Sequence, residues 1–85
     1  MRYHVGDKVK VKHLTKYASY TDENGENPLG VTDTMSEMVG QIVEIRRVIP
    51  HRNAYFIKED KGNYLWNDAM FVPAKQNKYE VKGGF

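Results

Sequence analysis

The residues of this chain best equipped for chemistry are cations and aromatics rather than nucleophiles. Arg46, Arg47, His51 and Arg52 crowd into one short stretch, Lys8, Lys10 and Lys12 alternate with valines near the start, and Tyr17, Tyr20 and Phe56 supply flat rings. A guanidinium fork matches a phosphate and an aromatic face stacks on a base. Lys10, Lys12, Tyr17, Tyr20, Arg46, Arg47, His51 and Arg52 are therefore the candidate ligand-binding residues, with a nucleotide or a nucleic acid as the ligand that would satisfy both groups. The pattern Arg46-Arg47-x-x-x-His51-Arg52 has low specificity, and a solubilising surface around a curved strand would use the same residues.

Signs of catalysis are few, and the chain is expected not to be an enzyme. It has no cysteine, hence no thiol nucleophile, disulfide or thiolate metal site. His4, His13 and His51 show no metal-ligand spacing and sit beside no local carboxylate motif, so neither metal nor cofactor is expected. Asp22, Glu23 and Glu26 lie together in a polar stretch; a catalytic pair needs a carboxylate whose surroundings shift its pKa, and solvated loop charge is the plainer reading. No glycine-rich phosphate loop or nucleophile elbow is present. Trp66, Met70 and Phe71 admit two readings. An exposed indole would be a platform for a base, whereas a helical turn closing a small barrel must bury plugs, and Met70 and Phe71 suit that part.

The elements that must position these residues are short strands. Lys8-Val9-Lys10-Val11-Lys12 alternates strictly, placing Val9 and Val11 on one face. Gln41–Ile49 opens after Gly40 and stops at Pro50; Val43 and Ile45 share a face, but Val48 falls out of phase, which predicts a bulge or bend near Arg46-Arg47. Ala54–Lys58 should point Tyr55 and Ile57 inward, and Glu59-Asp60-Lys61-Gly62-Asn63 has the composition of a hairpin turn. Tyr64–Trp66 reads as a fourth strand, Asn67 as the N-cap of one helical turn, and Phe71-Val72-Pro73 as a last strand that Pro73 confines to an edge. The predicted core is Val9, Val11, Val43, Ile45, Tyr55, Ile57, Trp66, Met70 and Phe71. Residues 13–39 form a long connection, uncommon in a compact domain and usually functional or disordered. Within it, Thr34-Met35-Ser36-Glu37 matches a capping box.

Eighty-five residues with a net charge of +2 make one domain and argue against a sequence-independent coater of DNA. The charge is unevenly spread. Residues 1–16 hold five Lys/Arg and one acid, residues 17–38 five acids and no Lys/Arg, and residues 39–58 four Lys/Arg and one acid. Separate basic and acidic patches are expected, beside the ordinary alternative of solvated faces. Met1–Asp7 lacks the pattern of a signal peptide and no apolar run approaches a membrane span, so a cytoplasmic protein is expected. Residues 1–73 are expected to form the domain and residues 74–85 a polar, poorly ordered tail.

Val5-Gly6-Asp7-Lys8-Val9-Lys10-Val11, followed by Met38–Ile45, Tyr55–Asp60 and Trp66-Asn67-Asp68-Ala69-Met70-Phe71-Val72-Pro73, resembles a group of small SH3-like proteins common in bacteriophages and prophages of Gram-positive bacteria. The likeness covers roughly residues 5–73. It implies an all-β fold: a small SH3-like barrel of about five short strands, a long first loop (13–39) and one short helical turn before the last strand. It also implies a phage setting, in the host bacterial cytoplasm, and a non-enzymatic binding protein that engages a host protein or an anionic nucleotide-like ligand, as counter-defence factors do. The Gly6-Asp7 and Gly40–Val43 strands are similar to the RNA-binding KOW motif, although residues 13–39 separate them much more widely. Tyr17 and Tyr20 in a long first loop are similar to peptide-binding SH3 domains, whose Ala-Leu-Tyr-Asp-Tyr strand is missing. Nucleic-acid binding and a structural role through homo-oligomers are the alternatives.

Overall fold

A computed structural model describes residues 2–74. Apart from Ala74, the expected C-terminal tail lies outside the described residues. Strand β1, Lys8–Val11, alternates as its sequence demands, with Val9 and Val11 buried and the lysines exposed. The turn before it is closed by His4, which accepts from the Asp7 N–H through its carbonyl and donates its own N–H to the Asp7 carboxylate, both at 2.9 Å.

Two short strands, β2 (Ser19–Tyr20) and β3 (Leu29–Gly30), pair with each other inside the long connection, and helix α1 (Asp33–Glu37) follows. The helix begins earlier than the capping box suggested. Thr32, not Thr34, is the N-cap: its backbone is extended (φ −86°, ψ 173°) and its hydroxyl accepts from the Met35 N–H at 3.2 Å. Starting there buries Val31, Met35 and Met38, so burial of apolar side chains overrides a local capping pattern.

Strand β4 (Ile42–Ile49) and strand β5 (Ala54–Ile57) form a hairpin around a 3-10 turn at Pro50–Arg52. Asn53 closes that turn in the left-handed region (φ 52°), which asparagine tolerates better than most residues. The register slips between Ile45 and Arg47, so the strand carries a bulge where the phase break predicted one. Strand β6 is Trp66–Asn67, two residues later than its hydrophobic start at Tyr64 implied. The preceding turn holds the chain that long because Asp60 accepts from the N–H groups of Gly62 and Asn63. Asn67 caps the 3-10 turn Asp68–Met70, its side-chain oxygen accepting from the Ala69 N–H at 3.1 Å, and strand β7 (Phe71–Pro73) completes the fold.

The five main strands are antiparallel, in the order β6-β5-β4-β1-β7. The two outermost strands, β6 and β7, are joined by the single turn 68–70, so one short turn links the two ends of the sheet. That is the all-β, SH3-like arrangement, with Pro73 on an edge strand as its missing N–H requires. Inside, Tyr3, Tyr55, Phe71 and Trp66 form an aromatic stack; Trp66 lies nearly parallel to Phe71 (5.4 Å, 21°) and Tyr3 meets Phe71 edge-on (6.1 Å). Leu14, Val31, Met35 and Met38 extend this core under the long connection. No helix among the described residues is long and apolar enough to cross a membrane.

Candidate anion-binding site

Strand β4 builds the site through its irregularity. Strict alternation would send Arg47 to the same face as Val43 and Ile45, both of which are fully buried. The bulge inserts one residue, and Arg46 and Arg47 both emerge on the outer surface. A device that sharpens the twist of the barrel thus also sets two guanidinium groups side by side. Arg47 stands opposite Phe56 in register, and Phe56 is the half-buried, outward residue of β5.

The turn after β5 folds back over this pair. Lys61 (φ 59°) and Gly62 (φ 74°) are consecutive positive-φ residues between the Asp60 carbonyl and the Asn63 N–H, the backbone signs that a type I′ turn requires. A Cβ on Gly62 would lie 3.6 Å from a terminal nitrogen of Arg46, so the guanidinium rests against the glycine. The result is a hollow of about 230 Å³ lined by Arg46, Arg47, Phe56, Lys61 and Gly62. A second hollow, about 380 Å³, shares Arg46 with it and is lined by Val5, Glu44, Ile45, Arg46 and Lys58.

Ion pairs among the described residues are Arg2–Glu23, His4–Asp7, Lys8–Glu44 and Lys16–Asp33. Arg46, Arg47 and Lys61 take part in none of them. Three cations around one aromatic face, with no described carboxylate neutralising them, present unspent charge to an anion.

The other sequence candidates stand elsewhere. Lys10 lies between Ile42 and Val72 on the outer face of β4-β1-β7. Lys12 follows β1 and donates its backbone N–H to Met70. Tyr17 is 74% exposed in the left-handed region (φ 67°), with the Lys16 ammonium 5.8 Å from its ring centre. Tyr20 is half-buried and its hydroxyl accepts from the Thr15 N–H at 2.9 Å. His51 and Arg52 are exposed in the 3-10 turn at the far end of the β4–β5 hairpin. Sequence reasoning missed Lys61 and Gly62. The sequence marks them as a turn, but the strand over which that turn folds is set by contacts between distant segments.

The long connection is held down by carboxylates. Asp22 is buried, and its two oxygens accept from the N–H groups of Asn24 and Glu26 and from the side-chain amides of Asn27 and Asn53, all within 3.0 Å. The Asn27 amide, then the Glu26 N–H and the Asn53 amide, lower its pKa to about 2. The expectation of solvated charge at Asp22 is thereby corrected: the side chain is a folded hub, whereas Glu23 and Glu26 are exposed. Nearby, Asn67 donates to the Tyr20 carbonyl at 2.7 Å, and Asp68 accepts from the Glu23 N–H at 3.2 Å.

Asp68 is the reverse case. Burial, then the charge of Glu23, raises its pKa, and its second oxygen and the buried Tyr3 hydroxyl have no hydrogen-bond partner among the described residues. A raised folded-state value means protonation favours the folded form, so this contribution fades as pH climbs above the ordinary carboxylate range. Asp68→Asn keeps the acceptor for Glu23 and removes the charge. Thermal melts should show the variant at least as stable as the parent at pH 7, with the difference vanishing towards pH 4; a less stable variant at pH 7 would refute this reading.

Trp66 is fully buried, and its indole N–H donates to Asp60 at 2.9 Å. It is core, not a platform; Met70 and Phe71 are buried with it. Among the described residues no group of three or more His, Cys, Asp or Glu is placed to hold a metal ion. In comparisons with known proteins, no family model, no curated protein and no solved structure matches this chain.

Proposed function

We propose that this protein is a binding domain that captures a phosphate-bearing, nucleotide-like ligand in the hollow between Arg46, Arg47, Phe56 and Lys61. The observation that carries this reading is the convergence of three cations free of ion pairs among the described residues with an aromatic face in one concavity. The guanidinium groups supply paired donors for phosphate oxygens, Lys61 adds a mobile point charge, and Phe56 offers a stacking surface. The resemblance to phage proteins adds the setting: an anionic ligand of host origin, bound rather than transformed.

Calorimetric titration at low salt with a nucleoside monophosphate tests the proposal, with the parent nucleoside and inorganic phosphate as controls. The monophosphate should bind more tightly than either control. Arg47→Glu or Lys61→Glu should weaken it by at least ~10-fold, the scale of one lost charge-assisted contact. Both side chains are exposed, so circular dichroism should show an unchanged fold. Binding that survives both charge reversals would overturn the assignment.

A further inference from the structure

We infer that the ligand contains at least two phosphodiester-linked nucleotide units, the second seated in the hollow formed by Val5, Glu44, Arg46 and Lys58. This rests on the nucleotide-binding reading of the first hollow and extends it. The two hollows share Arg46 as a lining residue. Lys58 and Lys61 stand at the two ends of one turn, closed by the Lys61 N–H donating to the Lys58 carbonyl at 3.1 Å. One cation therefore serves each hollow, with the bulged arginine between them, a repeat suited to successive phosphates on one strand.

The second hollow differs from the first in a way that fits a base. Val5 is 64% exposed, and its position is set by the next residue, whose N–H donates to the Ile45 carbonyl at 2.8 Å. An apolar side chain held open beside Arg46 gives a base an edge or face to cover. Glu44 forms another wall. Its backbone groups are already engaged by Glu59 and Lys58, while its carboxylate pairs, among the described residues, with the exposed Lys8 at 3.6 Å. A carboxylate would repel a bare phosphate, but it accepts readily from the exocyclic amino group of cytosine. Lys58, in no ion pair among the described residues, is left for the linking phosphate.

The test compares dCMP with the 5′-phosphorylated dinucleotide d(pCpC) by calorimetry at low salt. The dinucleotide should bind at least ~10-fold more tightly, because its second unit is delivered at high effective concentration. Lys58→Gln should abolish that advantage while weakening dCMP far less than d(pCpC), and d(pTpT), lacking the amino group, should bind more weakly than d(pCpC). Equal affinity for dCMP and d(pCpC), or an advantage that persists in Lys58→Gln, overturns the two-unit ligand and leaves the first hollow's function standing. Binding of neither probe overturns both. An oligo(dC) dodecamer separates the sources: tighter binding with a steeper salt dependence than d(pCpC) marks a single-stranded nucleic acid, and no gain marks a small dinucleotide.

Discussion

Trp66→Ala should sharply lower the stability of the fold and bring its unfolding close to physiological temperature. The indole is fully buried and stacks on Phe71, and truncating such a side chain costs about 3–5 kcal/mol. A domain of this size has only roughly 5–15 kcal/mol of net stability, so one residue removes a large share of it. A second cost comes from Asp60. This carboxylate spans the indole N–H and the Gly62 N–H, both at 2.9 Å, and loss of the indole leaves one of its buried oxygens without a donor.

Trp66→Phe separates the two costs. It keeps a ring against Phe71 and removes the donor, and leaving a buried acceptor unpaired costs about 1–3 kcal/mol. Because Asp60 also fixes the Lys61-Gly62 turn, Trp66→Phe should weaken monophosphate binding as well as stability. A core residue thereby supports the binding hollow without touching the ligand. Urea melts and titration of the two variants are the measurements. Trp66 is the sole tryptophan, so its fluorescence in the parent protein should start blue-shifted and move to the red on unfolding. Near-parental stability of Trp66→Ala would refute its place in the core.

Asp22→Ala should free the long connection while the barrel strands stay folded. Four donors converge on this carboxylate: two backbone N–H groups from its own loop, the Asn27 side chain, and the Asn53 side chain from the turn between β4 and β5. The last ties loop to barrel, beside the Asn67–Tyr20 and Glu23–Asp68 hydrogen bonds, and alanine offers no acceptor to any of the four donors. Hydrogen exchange should rise by at least ~10-fold at the Asn24 and Glu26 amides and at the β2–β3 pairing, with little change in β1, β4 and β5. Asp22→Asn should fall between, because its amide nitrogen would face the Asn27 and Asn53 donors. The pH dependence follows the depressed pKa. Stabilisation is present above the ordinary carboxylate value near 3.8 and is lost as pH falls towards about 2. Acid exposure should therefore loosen the parental loop through that window, and the alanine variant should show no such step. Uniform destabilisation of loop and barrel together would contradict a local latch.

Much of the barrel is legible in the chain. The alternation of Val9 and Val11, the phase break after Ile45, the capping Asn67 and the edge-confined Pro73 each state a local rule that the fold obeys. These are short-range properties: they depend on which face of a strand is apolar and on which side chains can satisfy a nearby N–H. Where two local rules compete, distant packing decides. That is why the helix cap lies at Thr32 and not Thr34, whereas the strand expected at Tyr64 begins at Trp66 for a local reason, the turn held by Asp60.

Membership of the candidate site was less legible. Arg46 and Arg47 were marked by composition, but Lys10, Lys12, Tyr17, Tyr20, His51 and Arg52 carried the same chemical promise and stand outside the hollow. The choice among them depends on register, on the bulge, and on a turn that brings Lys61 and Gly62 back over β4. What the sequence determined by itself was the chemistry on offer, cations and rings with no cysteine, and the strand pattern that carries it. The tertiary structure alone decided which cations meet around Phe56, that Asp22 is a buried hub, and that Trp66 faces inward. The physical reason is that periodicity encodes facing, whereas meeting depends on contacts between segments far apart in the chain.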